Sequence, residues 1–219
     1  MVHRQHLLNR ISDLNRNILN MGIYVADAMK KSVKALIENN LDAAKEVIKE
    51  DDRINSLELS IQDDLTVLIA TEQPVASDLR HVITSIKVIT QLERMGDHAV
   101  HIAKETLRLG KTEYIKPLID IPKMSEIGLK MLQMTLDAFA DQDVKKAREA
   151  ASMDDEVDNL RSQVNRELLT YMMEDIKNLK QINSFMFIGR FLERFADHIT
   201  NICEWIVYDS SGEHVELNL

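Results

Sequence analysis

The sequence predicts an all-α protein, made by tandem duplication of two antiparallel three-helix bundles with six long helices. Its 219 residues include 6 Gly and 3 Pro, where average usage would give roughly 15 and 11. This shortage of turn residues excludes an all-β sandwich or barrel, and a hydrophobic content of 45% excludes a disordered chain. Apolar residues recur at steps of three and four in both halves, which is the period of an amphipathic helix.

Three helices are predicted in the first half. The first covers about residues 3–38, where the apolar stripe is continuous. Asn40 is the predicted N-cap of the second helix, which extends to about Thr71, because an asparagine side chain can accept a hydrogen bond from the first turn. The third helix follows Pro74, and Gly110 is predicted to end it, since glycine readily adopts the backbone conformation found after helices.

A linker is predicted at 111–122, because two of the three prolines lie there. It separates two predicted domains, a first bundle at 1–110 and a second bundle at 123–219. The second bundle is predicted to contain three uninterrupted helices, at about 124–139, 143–172 and 178–208.

Charge and cysteine content indicate which partners and which cellular compartment suit the protein. The formal net charge is −9, from 36 acidic and 27 basic side chains, whereas a nucleic-acid-binding protein normally carries a basic face. The single cysteine, Cys203, fits a reducing cytoplasm. The first residues lack the apolar core of a signal sequence, and no apolar run approaches the roughly 18 residues of a membrane span. We therefore expect a cytoplasmic protein that binds no nucleic acid and reaches a membrane only through a partner.

The two halves share a motif. Residues 92–98, Leu-Glu-Arg-Met-Gly-Asp-His, return one hundred residues later at 192–198 as Leu-Glu-Arg-Phe-Ala-Asp-His. Upstream, Asp-Asp-Arg-Ile-Asn at 51–55 corresponds to Asp-Asp-Glu-Val-Asp at 154–158, which lies 103 residues later. An internal repeat of this kind is a strong sign of duplicated architecture.

Acidic side chains recur in pairs separated by four residues, a spacing that places both on one face of a helix. The pairs are Asp51 with Asn55, whose amide replaces one carboxylate, Glu93 with Asp97, Asp154 with Asp158, and Glu193 with Asp197. Because like charges at this spacing repel one another, a bound cation or nearby arginines must offset the repulsion. Glu93 and Glu193 continue the apolar stripes of their helices, which places the pairs beside a groove between helices. Facing carboxylate pairs in such a groove suit Mg²⁺, Mn²⁺ or iron.

A structural alternative stays open, in which Arg94, Arg190 or Arg194 pairs with the carboxylates and sets the register of the helices. His98 and His198 each follow the second carboxylate of a pair and point about 100° away from it. We expect these two histidines, with Arg94 and Arg194, to support the metal ligands by hydrogen bonds, or the histidines to bond between helices.

Three segments have a distinctive composition: Gln-Pro-Val-Ala-Ser-Asp-Leu-Arg at 73–80, the motif at 92–98 and the longer segment at 188–202. Together they resemble the PhoU family, whose members regulate bacterial phosphate uptake, and the resemblance extends over about residues 5–209. It implies two three-helix bundles related by a pseudo-twofold axis. It also implies that iron, zinc or magnesium binds through paired E(D)xxxD motifs.

The resemblance further implies which pairs face each other. Asp51 and Asn55 would face Glu93 and Asp97, and the same relation would join Asp154 and Asp158 to Glu193 and Asp197. The chain departs from the family at Asn55, where an aspartate is expected. The first site should therefore bind metal more weakly or hold fewer ions.

The role that the resemblance implies is negative regulation. Members of the family are thought to pass a phosphate-sufficient signal from a phosphate ABC transporter, through its ATPase subunit, to a membrane-bound sensor histidine kinase. The result would be lower expression of phosphate-starvation genes, the Pho regulon. A homodimer is expected as well, since bundles of this kind leave faces exposed.

Three functions are therefore compared. The first is a non-enzymatic regulator that binds metal in two acidic sites. The second is a metal-dependent hydrolase or oxidase using the same carboxylates, although the Glu-x-x-His signature of di-iron oxidases is absent and Asp78-x-x-His81 is its nearest approach. The third is a structural interaction bundle in which arginine–carboxylate pairs replace the metal. We expect the first.

Overall fold

The computed structural model describes residues 2–217, which fold into α-helices and one short 3₁₀ turn without any strand. The helices are α1 (Val2–Ile37), α2 (Leu41–Glu72), α3 (Ala76–Leu109), α4 (Asp120–Asp141), α5 (Val144–Ala151), α6 (Asp154–Glu174) and α7 (Leu179–Ser211). The predicted all-α class is confirmed. Among the described residues, no helix combines the length and the apolar character that crossing a membrane demands.

The helices form two groups that share one core. In the first group α1, α2 and α3 pack together, and in the second α7 packs against α4, α5 and α6. The most extensive contact between any two helices joins α3 to α7. These two run antiparallel, because His81 near the start of α3 meets Asp209 near the end of α7, whereas His101 meets Phe191. Antiparallel packing of equivalent helices is consistent with a pseudo-twofold axis that runs perpendicular to them.

The repeat is visible in the burial of side chains. Residues 91–100 and 191–200 show the same succession of buried, half-buried and exposed positions. Leu92 and Leu192, at 0% and 2% exposure, occupy matching core positions, and burying a leucine contributes about 1.5–3 kcal/mol. The carboxylates of the motifs alternate with these anchors and remain half-buried. The hydrophobic stripe therefore sets which face of the helix the carboxylates occupy.

The predicted helix boundaries in the first half are largely confirmed. Asn40 caps α2, and its side-chain oxygen accepts a hydrogen bond from the Ala43 amide at 3.1 Å. Gly110 follows the last residue of α3 with a φ of 75°, a value that costs a residue with a Cβ about 1 kcal/mol. Pro74 lies two residues before the start of α3, so the third helix follows this proline as predicted.

The uninterrupted fifth helix, predicted over 143–172, is wrong. It is two helices, since α5 ends at Ala151 and α6 begins at Asp154. Three successive acidic residues, 154–156, form the first turn of α6, where the positive end of the helix dipole favours negative charge. These acids are better accommodated at a new helix start than inside a continuous helix.

The connection between the two groups is shorter than the predicted linker. Helix α4 begins at Asp120, so Pro122 lies in the first helical turn, where the missing N–H of a proline has no intrahelical partner to lose. The segment before it is anchored, because the Tyr114 hydroxyl donates to the Leu36 carbonyl at 2.7 Å and the buried Lys116 forms an ion pair with the half-exposed Glu167. The division into two domains stays a prediction.

Substitution of the α2 cap tests its contribution to stability. Asn40→Ala is expected to lower the free energy of unfolding by about 1 kcal/mol, which corresponds to a fall in Tm of about 2–4 °C. The loss arises because the Ala43 amide is left without its acceptor. Asn40→Ser restores an acceptor and serves as the control. An equal loss in both variants, measured by thermal unfolding, would argue against a capping role.

Candidate metal centre

The first cluster lies in the groove between α2 and α3. It consists of Asp51, Asn55, Glu58, Glu93 and Asp97, all half-buried. The Asn55 amide donates to Asp51 Oδ2 at 3.5 Å. Asp51 Oδ1 and Asn55 Oδ1 are buried, and neither oxygen has a hydrogen-bond donor within residues 2–217. The structure thus brings together the two pairs of the first half.

Negative charge in the first cluster is poorly compensated. Burial raises the pKa of Glu93 above its ordinary value, and Asp97 and Glu58 raise it further by repulsion. Burial also raises the pKa of Asp51, with Asp97 as its next largest cause. Arg94 opposes the shift at Glu93 only through space, without an ion pair. A cation placed in this groove would remove the repulsion.

Glu58 was not among the residues predicted from the sequence. It lies three residues after Asn55 and seven after Asp51, so it shares their face of α2. Burial raises its pKa, Arg94 opposes the shift through space, and Asp97 adds a smaller repulsion. The seven-residue spacing from Asp51 indicates this shared face, whereas pairs separated by four residues do not include Glu58.

The second cluster lies in the matching groove between α6 and α7. It consists of Asp158, Arg161, Glu193 and Asp197. The Arg161 guanidinium donates to Glu193 Oε1 across the two helices, and Arg194 donates to Asp197 Oδ2 at 3.1 Å within α7. Burial raises the pKa of Glu193, and Arg161 is the largest opposing influence. In this half an arginine does pair with a carboxylate across two helices, but it is Arg161, which was not among the arginines considered for the register alternative. That alternative stays a prediction.

Asp154 occupies a different environment from its counterpart Asp51. It begins α6, is 2% exposed, and accepts a hydrogen bond from the Thr200 hydroxyl at 3.3 Å. Its charge also raises the pKa of Cys203. Asp51 lies inside α2, beside Asp97. The break between α5 and α6 thus turns Asp154 towards the core of the second half, whereas Asp158 is exposed beside Asp197.

His98 and His198 lie between α3 and α7. Their rings stack with centroids 5.2 Å apart, and His98 also stacks on Phe191 at 5.9 Å. Gln91 Oε1 accepts a hydrogen bond from His198 Nδ1 at 2.7 Å. Burial, assisted by His198 and His101, lowers the pKa of His98 to about 4. His198 thus has the expected hydrogen bond between helices, because Gln91 lies on α3. His98 has no hydrogen-bond partner among the described residues and contacts α7 by ring stacking alone.

The donor atoms fit a hard cation in the first half. Four carboxylates and one amide oxygen are suitable ligands for Mg²⁺, Mn²⁺ or iron, and two of these oxygens, on Asp51 and Asn55, have no hydrogen-bond donor among the described residues. In the part of the chain that the structure describes, no three His, Cys, Asp or Glu side chains are already grouped so that they could hold one ion. Side-chain rotation would have to bring the carboxylates together, and the predicted metal ligands stay a prediction.

Cys203 provides a chemical test of the packing beside Asp154. Its thiol is fully buried and hydrogen-bonded with Thr135 at 3.2 Å, and burial raises its pKa to about 12. Since the thiolate is the reactive form, an aromatic disulfide reagent at pH 8 should label the native protein at least about a thousandfold more slowly than the denatured chain. Absorbance of the released thiol measures both rates. Native labelling within tenfold of the denatured rate would contradict this packing.

Comparison with known proteins adds the family. The model of the PhoU domain matches the chain twice, at residues 18–106 and 121–206. A phosphate-specific transport system accessory protein PhoU homolog from Clostridium acetobutylicum is 36% identical over 209 residues, which cover 95% of each chain. The phosphate-specific transport system accessory protein PhoU of Escherichia coli is 32% identical over 203 residues, covering 93% of this chain and 84% of its own.

Solved structures agree with the sequence comparisons. The crystal structure of the phosphate transport system regulatory protein PhoU from Streptococcus pneumoniae superimposes with a TM-score of 0.90 at 31% identity, covering 97% of this chain and 100% of that one. PhoU from Pseudomonas aeruginosa gives a TM-score of 0.89 at 34% identity, covering 94% and 99%. With two matched repeats and relatives similar over nearly their whole length, the chain belongs to the PhoU domain family.

Proposed function

We propose that this protein is a non-enzymatic, cytoplasmic accessory regulator of phosphate transport whose state depends on a metal ion in the first cluster. The relatives described above are named accessory or regulatory proteins of phosphate transport. The observation that carries the metal-dependent part is the poorly compensated carboxylate groove between α2 and α3, with two buried oxygens that have no donor among the described residues. When bound, a metal ion would neutralise the carboxylates and join the two helices.

The proposed partners are two proteins of phosphate signalling. One is the ATPase subunit of a phosphate ABC transporter, and the other is a membrane-bound sensor histidine kinase. By contacting both, the protein would lower phosphate uptake and the expression of the Pho regulon when phosphate is sufficient. A homodimer is proposed as the working form, for which light scattering in solution should give about twice 25.1 kDa.

A metal-binding experiment tests the first cluster. Purified protein is freed of metal with EDTA and unfolded thermally with and without MnCl₂, and its metal content is measured by elemental analysis. Wild type should gain roughly 5–10 °C in Tm at a hundredfold excess over Kd, whereas Glu93→Gln with Asp97→Asn should lose the gain. Asp63→Asn with Asp64→Asn removes two exposed charges from α2 and serves as the matched control.

A cellular experiment tests the regulatory role. The strain used has lost its own copy of this protein and carries a reporter of phosphate-starvation genes. Wild-type protein supplied to this strain should repress the reporter at high phosphate. The Glu93→Gln, Asp97→Asn variant should repress the reporter less. The control variant Asp63→Asn, Asp64→Asn should repress it as fully as wild type. Pull-down of the ATPase subunit and of the kinase at high and low phosphate tests the partners. Binding of neither protein in either state would contradict the proposal.

A further inference from the structure

We infer that Arg161 takes the place of a metal ion in the second cluster, so that only the first cluster depends on a bound cation. The two halves of this duplicated protein would then be unequal, one held by a metal and one by an internal guanidinium. The statement about the first cluster rests on the proposed function. The statement about Arg161 rests on its own contacts.

The repeat places Arg161 where the first half has Glu58. On α2 the residues Asp51, Asn55 and Glu58 follow one another at steps of four and three, and on α6 the same steps lead from Asp154 through Asp158 to Arg161. Both series lie on one helix face. A carboxylate in one half is thus replaced by a cation in the other, at the same position in the groove.

The contact of Arg161 is that of a counter-ion. Its guanidinium donates to Glu193 Oε1 on the facing helix, and the two side chains are 31% and 17% exposed. A partly buried ion pair is screened less by water and salt than one at the surface. The second carboxylate of the α7 motif, Asp197, forms an ion pair with Arg194, whose Nη1 lies 3.1 Å from Asp197 Oδ2. Both carboxylates of the α7 motif are therefore already neutralised by arginines.

The α3 motif has no such partners. Within residues 2–217 neither Glu93 nor Asp97 takes part in an ion pair or hydrogen bond with a basic side chain, although Arg94 precedes Asp97 by the same three residues as Arg194 precedes Asp197. Glu93 has Glu58 and Asp97 as neighbours, and both raise its pKa by repulsion. The same motif thus needs an external cation in the first half and has an internal one in the second.

Asp154 strengthens the difference between the halves. Its counterpart Asp51 belongs to the first cluster, whereas Asp154 is buried and hydrogen-bonded to Thr200. An ion entering the second groove would have to displace Arg161 from Glu193, and would lack the fourth carboxylate that the first groove offers. Both effects disfavour metal in the second half.

The test isolates the second cluster by removing the first. In a Glu93→Gln, Asp97→Asn background, Tm and metal content are measured in EDTA and in MnCl₂. With Arg161 present, no Mn²⁺-dependent gain in Tm is expected. Adding Arg161→Glu should create a site and a gain of roughly 5–10 °C at a hundredfold excess over Kd. Arg166→Glu makes the same charge change at an exposed position of α6 and should create none.

Each possible result of this experiment either supports or overturns the inference about Arg161. A Mn²⁺ response in the background with Arg161 intact would show that the second cluster binds metal despite the arginine, and would overturn it. So would a folded Arg161→Glu protein that binds no Mn²⁺. If Arg161→Glu does not fold, Arg161→Gln replaces it, with a smaller gain expected and no gain overturning the inference. Wild type without a response, beside a responsive Arg161→Glu variant, would contradict the proposed function and support the inference.

Discussion

Replacing Phe195 by alanine should lower the free energy of unfolding by about 3–5 kcal/mol, a fall in Tm of roughly 10 °C. The ring lies in the second copy of the repeated motif and is 1% exposed. It packs so closely on α4 that a Cβ added at Gly128 would lie 3.1 Å from its Cδ1. Removing the ring leaves a cavity that α4 and α7 cannot close without shifting their backbones, so the variant loses transfer energy and packing together.

Phe187→Ala provides the matched control for this effect. Phe187 lies on the same helix but is only half-buried, with a neighbouring ring, Phe191, 6.2 Å away. Because water already reaches part of the ring and can fill the space left behind, the loss should stay below about 2 kcal/mol. Thermal and urea unfolding measure both variants. A loss at Phe195 no greater than that at Phe187 would show that α4 closes onto the vacated space.

The fold was predictable because helix periodicity is a local property. Apolar residues at steps of three and four determine which side of each helix is buried, and the motif repeat showed that the same solution is used twice. The break between α5 and α6 was missed because the stripe continues across it. The signal was the acidic run at 154–156, which favours a helix start over a helix interior.

The candidate site was predictable in position and only partly in composition. Residue spacing identified the groove faces that carry Glu93 and Glu193, and the structure places both there. Residue spacing did not reveal that Arg161 donates to Glu193, because the choice of partner depends on how α6 and α7 pack. The histidines illustrate the same limit. Their stacking joins the two repeats, a relation that no periodicity within one repeat describes.

The second large effect is expected at Asp209, which ties the two repeats together. Its Oδ2 lies 2.6 Å from His81 Nδ1, and the two side chains are 7% and 8% exposed. His81 also hydrogen-bonds through Nε2 with Asn15 Oδ1 at 3.0 Å, and its ring stacks on Phe139. Asp209→Ala leaves a buried imidazole without its acceptor, and should cost about 2–4 kcal/mol. Asp209→Asn keeps an oxygen facing Nδ1 and should cost less.

The number of thermal unfolding transitions is as informative as the temperature of their midpoint. The hydrophobic core is continuous from α1 through α7, so the two repeats should unfold in one cooperative step. Because His81 belongs to the first repeat and Asp209 to the second, Asp209→Ala should move that whole transition to lower temperature. Calorimetry can test this by comparing the calorimetric and van 't Hoff enthalpies of the variant. Two separate transitions, with only one of them displaced, would mean that each repeat is stable by itself and that the pair at this end contributes to one repeat alone.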